Sequence, residues 1–293
     1  MKLKRLLCLL LGLLVLLPGC SGQEEAQIAA TTLPVYQFTR WLCEGTGISV
    51  SRLVTENISC LHDYSLSVAQ VKAIESAQVT VISGAGLEES MEDVLSGCAG
   101  RIDASENVPI PECEEAEHHH DPEHGHHHEQ DPHIWLAPQN AMIMARNICS
   151  GLCDFAPEHK DVFERNLESL LQELEALEAY GKSQLHDLSC RELITFHDGF
   201  AYFAQTFDLH ILRAIEEESG SEASAQELKE MITLVREHQL PALFTERSGS
   251  VSAADIIARE TGSAVYNLDM AMAGEDYFQA MYHNIDTIKE ALG

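Results

Sequence analysis

Between residues 154 and 187, Phe163, Leu167, Leu170, Leu174 and Leu177 recur at alternating spacings of four and three. Only an α-helix gathers such positions on one face, and the stretch has room for about seven or eight turns. The stripe covers barely two heptads, so it predicts a helix lying on its own protein and not a coiled coil. Pro157 stands near its expected start and Gly181 near its expected end. Such a rod in mid-chain divides whatever precedes it from whatever follows.

The flanks repeat one pattern. Upstream, strands are expected over 27–33, 48–54 and 79–82, with helices over 35–44, 67–76, 87–95 and 138–152. Ser83-Gly84-Ala85-Gly86 breaks the third strand. Downstream, strands over 193–196, 209–215, 242–245 and 264–268 alternate with helices over 198–207, 224–238, 252–261 and 275–292. Ser224 followed by Glu227 reads as a capping box. Strand–helix alternation predicts parallel sheets with crossover helices. The expected architecture is therefore α/β: two parallel-sheet lobes, residues 27–153 and 188–293, joined by the helix of 154–187.

The stretch from Glu112 to Trp135 fits neither element type. Seven of the 15 histidines lie in it as His118, His119, His120, His124, His126, His127 and His128, and His133 follows. Eight carboxylates and no Lys or Arg accompany them. A packed core cannot absorb that many polar groups, so residues 112–131 are expected to be a solvated loop. Neutral imidazole is a common ligand for zinc, copper and nickel, and the tract is read as an accessory loop that binds ions weakly. An acidic disordered linker or a purification tag is the bland alternative, though a tag sits at a terminus and this run sits mid-chain. The net charge of −29 argues against nucleic acid as a partner, because phosphate contacts need Lys and Arg.

The N-terminus carries a targeting signal. Lys2, Lys4 and Arg5 precede an apolar run from Leu6 to Leu17 that is too short to span a bilayer comfortably. Leu17-Pro18-Gly19-Cys20 resembles a bacterial lipobox, with residues 1–19 the signal peptide, Cys20 the lipidated first residue, and 20–26 a tether. A plain cleaved signal or an N-terminal anchor helix is the alternative. Seven further cysteines, Cys43, Cys60, Cys98, Cys113, Cys149, Cys153 and Cys190, form no CxxC pair, and an odd number cannot all pair within the chain. Cys149 and Cys153 stand one helical turn apart.

Ligands in open parallel sheets bind beyond the carboxyl ends of strands. His62 follows the second expected strand, His133 closes the histidine-rich stretch, and His197 and Asp269 directly follow strands of the second half. Three imidazoles and a carboxylate make a four-coordinate set suited to zinc, bridging the halves. Each residue taken alone also reads as an ordinary strand-end or turn residue. Binding needs neutral imidazoles, so affinity is expected to fall as pH drops through about 6.5.

The stretches T-T-L-P-V-Y-Q-F, H-D-Y-S-L-S-V-A-Q-V-K-A-I, S-G-A-G-L-E, D-P-H-I-W-L-A-P, T-F-H-D-G-F-A-Y-F-A, L-F-T-E, I-A-R-E-T-G and N-L-D run in this order along nearly the whole mature chain. In them the sequence resembles the zinc-binding, ZnuA-like subfamily of metal-specific substrate-binding lipoproteins of ABC importers, which have a TroA-like fold. The resemblance implies two four-stranded (βα)4-type domains, one rigid linking helix and metal in the interdomain cleft. It carries the ligand roles onto His62, His133, His197 and Asp269. In manganese relatives a carboxylate usually replaces the third imidazole, so His197 favours zinc. Glu246, in L-F-T-E, matches a recurrent acidic position and is expected to hold a ligand imidazole. The chain departs from the pattern at Thr55–Tyr64, where the Pro- and Gly-rich turn before the first histidine is missing, which should loosen that loop. Cys60 there reads as inert, as a disulfide member or as a stray ligand.

The function so implied is capture of Zn2+ outside the cytoplasm and its delivery to an ABC permease with its ATPase. The protein would be a lipid-anchored monomer without enzymatic activity. Alternatives are a manganese or iron importer component, a zinc-buffering or adhesion lipoprotein, and a zinc hydrolase with Glu246 as base. Against the last, Asp269 would fill the open coordination position, and no H-E-x-x-H occurs.

Overall fold

The computed structural model describes residues 26–56, 58, 61, 64–110, 131–216, 223–246 and 252–293. The expected signal peptide, Cys20, Cys60, Cys113, His62 and the seven histidines from His118 to His128 lie outside the described residues.

The first sheet comprises β1 (Ile28–Ala30), β2 (Val50–Arg52), β3 (Val79–Ile82) and β4 (Arg101–Asp103), in the order β2-β1-β3-β4. The second comprises β5 (Glu192–His197), β6 (His210–Glu216), β7 (Ala242–Glu246) and β8 (Ala264–Leu268), in the order β6-β5-β7-β8. Every pairing in both is parallel. Helices α1 (Leu33–Leu42), α2 (Val68–Ser76), α3 (Glu92–Leu95) and α4 (Pro138–Phe155) accompany the first sheet. Helices α6 (Ala201–Thr206), α7 (Ala225–His238), α8 (Ser252–Thr261) and α9 (Tyr277–Leu292) accompany the second, and α5 (Lys160–Gln184) lies between.

The expected elements are found, several with shifted ends, and β4, which matches no expected strand, completes the first sheet. Strand 27–33 shrinks to three residues, because Thr31 and Thr32 turn into α1, whose first turn holds Pro34. The helix expected over 87–95 is a 3-10 turn, Glu89–Met91, followed by the single turn of α3. Gly181 does not end the long helix. It lies inside α5, where a Cβ would come within 2.2 Å of the Phe207 ring, so glycine permits close packing against the second half. Both capping boxes, Ser67 with Gln70 and Ser224 with Glu227, are formed.

The 25-residue α5 is about 37 Å long. Its Asn166 amide donates to the carbonyls of Trp41, Leu42 and Glu44, closing the end of α1. Trp41 Nε1 donates to Ser169 Oγ at 2.9 Å. Further along, Tyr180 Oη donates to Asp286 Oδ1 of α9 at 2.6 Å. Its apolar stripe, Phe163, Leu170, Leu174 and Leu177, enters one core that also contains Phe38, Trp135, Tyr277 and Ile285. That core draws on both sheets, so the rod is fastened along its length to each.

Side chains on a strand alternate between faces. In β5, Leu193 joins this shared core, while Ile194 and Phe196 enter a separate cluster with Met231, Val235 and Ile257 of α7 and α8. In β7, Ala242 and Phe244 face the shared core and Leu243 the other. The same alternation puts His197 and Glu246 on the face turned toward the first half.

Cys43, Cys98, Cys149, Cys153 and Cys190 are free thiols. Cys149 and Cys153 touch, and burial, reinforced by Cys153, pushes the Cys149 thiol up to about 12. Burial does the same to Cys43. Neither carries the thiolate character that metal capture needs.

Candidate metal centre

His197 is the last residue of β5 and Glu246 the last of β7, neighbouring strands that run the same way. Their side chains therefore emerge at one carboxyl edge, on one face. His197 is 4% exposed and Glu246 5%, and His197 Nδ1 stands 3.4 Å from Glu246 Oε1. With Nδ1 directed at a carboxylate, Nε2 points the other way.

His133 comes from the first half. It stands at the start of the 3-10 turn Ile134–Leu136, which leads into α4, and it is 2% exposed. Asp131 Oδ1 accepts from the His133 backbone N–H at 2.9 Å and pairs with His133 Nδ1 at 2.8 Å. A carboxylate accepts only, so this contact places the proton on Nδ1 and leaves Nε2 as a lone-pair donor.

The two imidazoles meet edge to face, with centroids 5.0 Å apart and the Nε2 atoms 3.3 Å from each other. A tetrahedral zinc with Zn–N of about 2.0–2.1 Å holds its nitrogens about 3.3–3.4 Å apart. The pair thus has the spacing of one edge of a zinc tetrahedron, with a carboxylate behind each ring. Where donor type and spacing agree, the residues fit the ion.

Asp269 directly follows β8, as expected, and is half-buried. Its backbone N–H donates to Asn284 Oδ1 and its carbonyl accepts from Asn284 Nδ2, both at 2.7 Å. Its Oδ1 accepts from the Ala271 N–H at 2.8 Å, shaping a turn in which Ala271 takes a positive φ of 53°. Among the described residues, no three His, Cys, Asp or Glu side chains form an ion-holding group. What the described residues assemble is the His133–His197 pair, and His62 lies outside them.

Three contributors were not read from the sequence. Asp131 stood in the D-P-H-I-W motif, and an aspartate two residues before a ligand candidate is a known local hydrogen-bonding pattern. Tyr202 Oη donates to the Asp131 carbonyl at 3.0 Å, a contact with no sequence signal across 71 positions. Gly199 sits so close that a Cβ would lie 2.7 Å from His197 Cδ2 and 3.0 Å from His133 Nδ1.

The other polar cluster lies at the carboxyl edge of the first sheet. Glu88 is buried and accepts from Thr31 Oγ1 at 2.6 Å, Ser83 N at 2.8 Å and Gly84 N at 3.0 Å. Burial holds its carboxyl above the usual range against these bonds.

Comparison with known proteins gives a consistent set. The family model described as ZnuA, zinc-uptake complex component A, periplasmic, matches residues 28–291. The zinc-binding lipoprotein AdcA of Streptococcus pneumoniae is 28% identical over 98% of this chain and 61% of its own length, so the chain spans about three-fifths of that relative. The high-affinity zinc uptake system protein ZnuA of Bacillus subtilis is 26% identical over 93% of this chain and 89% of its own. A crystal structure of ZnuA, 29% identical, superposes with a TM-score of 0.79 over 92% of this chain and 100% of that one. A zinc-bound deletion mutant of ZnuA, also 29% identical, gives 0.76 over 92% and 98%.

Proposed function

The chain belongs to the ZnuA family of zinc-uptake components, and on that premise we propose that it captures Zn2+ outside the cytoplasm and delivers it to an ABC permease. The family works in transport as a substrate-binding component beside a permease and its ATPase. Relatives named for zinc binding and zinc uptake favour this reading over a manganese or iron carrier, a zinc buffer or a hydrolase, and the laminin-binding proteins among the structural neighbours, 23–24% identical, share the fold alone.

The observation that carries the reading is the pair of facing Nε2 atoms, 3.3 Å apart and each backed by a carboxylate. His133 and His197 are two of the ligands, with Asp131 and Glu246 orienting them. His62 and Asp269 complete the set. The ion sits between lobes divided by the helix of 154–187, at residues 27–153 and 188–293. Selectivity comes from ligand type and tetrahedral geometry, since the Irving–Williams order alone favours copper. Cys20 carries the lipid anchor, the protein is a monomer, and it catalyses no reaction.

The seven histidines from His118 to His128 raise the local zinc concentration through weak binding. Isothermal titration of a form lacking residues 112–130 is expected to give one tight site, and the intact protein the same site plus weaker ones. An equal number of weak sites in both forms would remove the accessory role. An unchanged tight site in His62→Ala would remove His62 from the ligand set.

A further inference from the structure

The segment bearing His133 belongs to the first half by chain position, yet its polar contacts run to the second. The Asp131 carbonyl accepts from Tyr202 Oη of α6 at 3.0 Å. Trp135 Nε1 donates to the Met270 carbonyl at 2.7 Å, and the Trp135 carbonyl accepts from Tyr277 Oη of α9 at 2.8 Å. Tyr202, Trp135 and Tyr277 are all buried. Three hydrogen bonds thus hold residues 131–135 to second-half elements on either side of His133. Within the segment, Asp131 Oδ1 grips both the backbone N–H and Nδ1 of His133. His133 is thus held at its backbone N–H and at its ring by one residue that is itself tied to α6.

We propose that Asp131 and Tyr202 form a strap that seats His133 on the second half, so that the His133–His197 edge is set before zinc arrives. Asp131 and Tyr202 are positioning residues and touch no ion. The strap rests on the reading of His133 and His197 as zinc ligands, and it adds a division of labour. Both imidazoles are then held from the second half, His197 by its own strand and His133 by the strap. Presetting matters because a ligand pair held in place spends no ordering entropy when the ion binds. It also fixes which nitrogen faces the ion, and loss of such an orienting partner costs about 10–100-fold in metal affinity.

The test uses the full chain, labelled with 15N-histidine and freed of metal. Long-range proton–nitrogen correlation reads the tautomer of each ring, and chelator competition reads zinc release. Wild type is expected to show His133 with its proton on Nδ1. Asp131→Ala should give mixed tautomers at His133 and release zinc about 10–100-fold faster. Asp131→Asn keeps an accepting oxygen and should restore both readouts, which a merely destabilising substitution would not do. Tyr202→Phe should release zinc several-fold faster with the tautomer unchanged. Wild-type tautomer and release in Asp131→Ala, or an Nε2 proton on metal-free wild-type His133, would overturn the strap. Wild type that fails to bind zinc through His133 at all would instead overturn the function reading.

Discussion

Replacing either His133 or His197 with alanine is expected to abolish tight zinc binding. The loss should be at least thousandfold in affinity, about 4 kcal/mol. Loss of an orienting carboxylate alone typically costs about 10–100-fold, and removal of the ligating nitrogen must exceed that. Both imidazoles are almost fully buried, with Nε2 atoms 3.3 Å apart. His210, by contrast, is an exposed residue at the start of β6, and His210→Ala should leave the site unchanged. Competition with a fluorescent zinc chelator measures all three. A tight site surviving in His197→Ala would place zinc elsewhere. Glu246→Ala should fall between wild type and the ligand variants, because its carboxylate stands 3.4 Å behind the His197 ring.

The second large effect concerns stability, at the carboxyl edge of the first sheet. Glu88→Ala should destabilise the fold by about 4 kcal/mol, since three donors lose their acceptor and each buried orphan costs about 1–3 kcal/mol. Thr31 Oγ1 and the Ser83 and Gly84 N–H groups all donate to this carboxylate, which ties the end of β1 to the loop after β3. Glu88→Gln keeps the shape but turns an amide NH2 toward backbone N–H donors, so it should lose less. The pH dependence has a definite sign. Burial raises the Glu88 pKa above its unfolded value, so the native state holds this proton more tightly. Its contribution is fully present below the unfolded carboxyl value and is lost as pH rises through the native one. Urea unfolding at acid and neutral pH should therefore show Glu88→Gln gaining on wild type as pH rises. A constant difference across that range would contradict it.

Much of this fold is legible in the sequence because its elements announce themselves by period. The four-three stripe of Phe163 to Leu177 marks α5, and the β-branched run Val79 to Ile82 marks β3 at its observed limits. Three-residue strands such as β1 and β2 are too short to carry a period, so the expected ranges run wider than the strands. Gly181 misled because a glycine in a helix reads as a stop, whereas here it is a tertiary contact with Phe207. At the site, His197 is readable as the residue directly after a strand, and Glu246 only through the family resemblance. The sequence cannot display the alternation that turns both toward the first half, since that depends on which face the shared core occupies. Nor can it display the crossing of Asp131 to Tyr202, which joins positions that no local pattern relates.

The central claim is that one zinc ion is held between His133 and His197. Crystals of the zinc-loaded protein, measured on both sides of the zinc absorption edge, test it directly. One strong anomalous peak is expected about 2.0–2.1 Å from both Nε2 atoms, in a tetrahedral set. A zinc peak bound away from these two nitrogens, with the His133–His197 pair left bare, would contradict it.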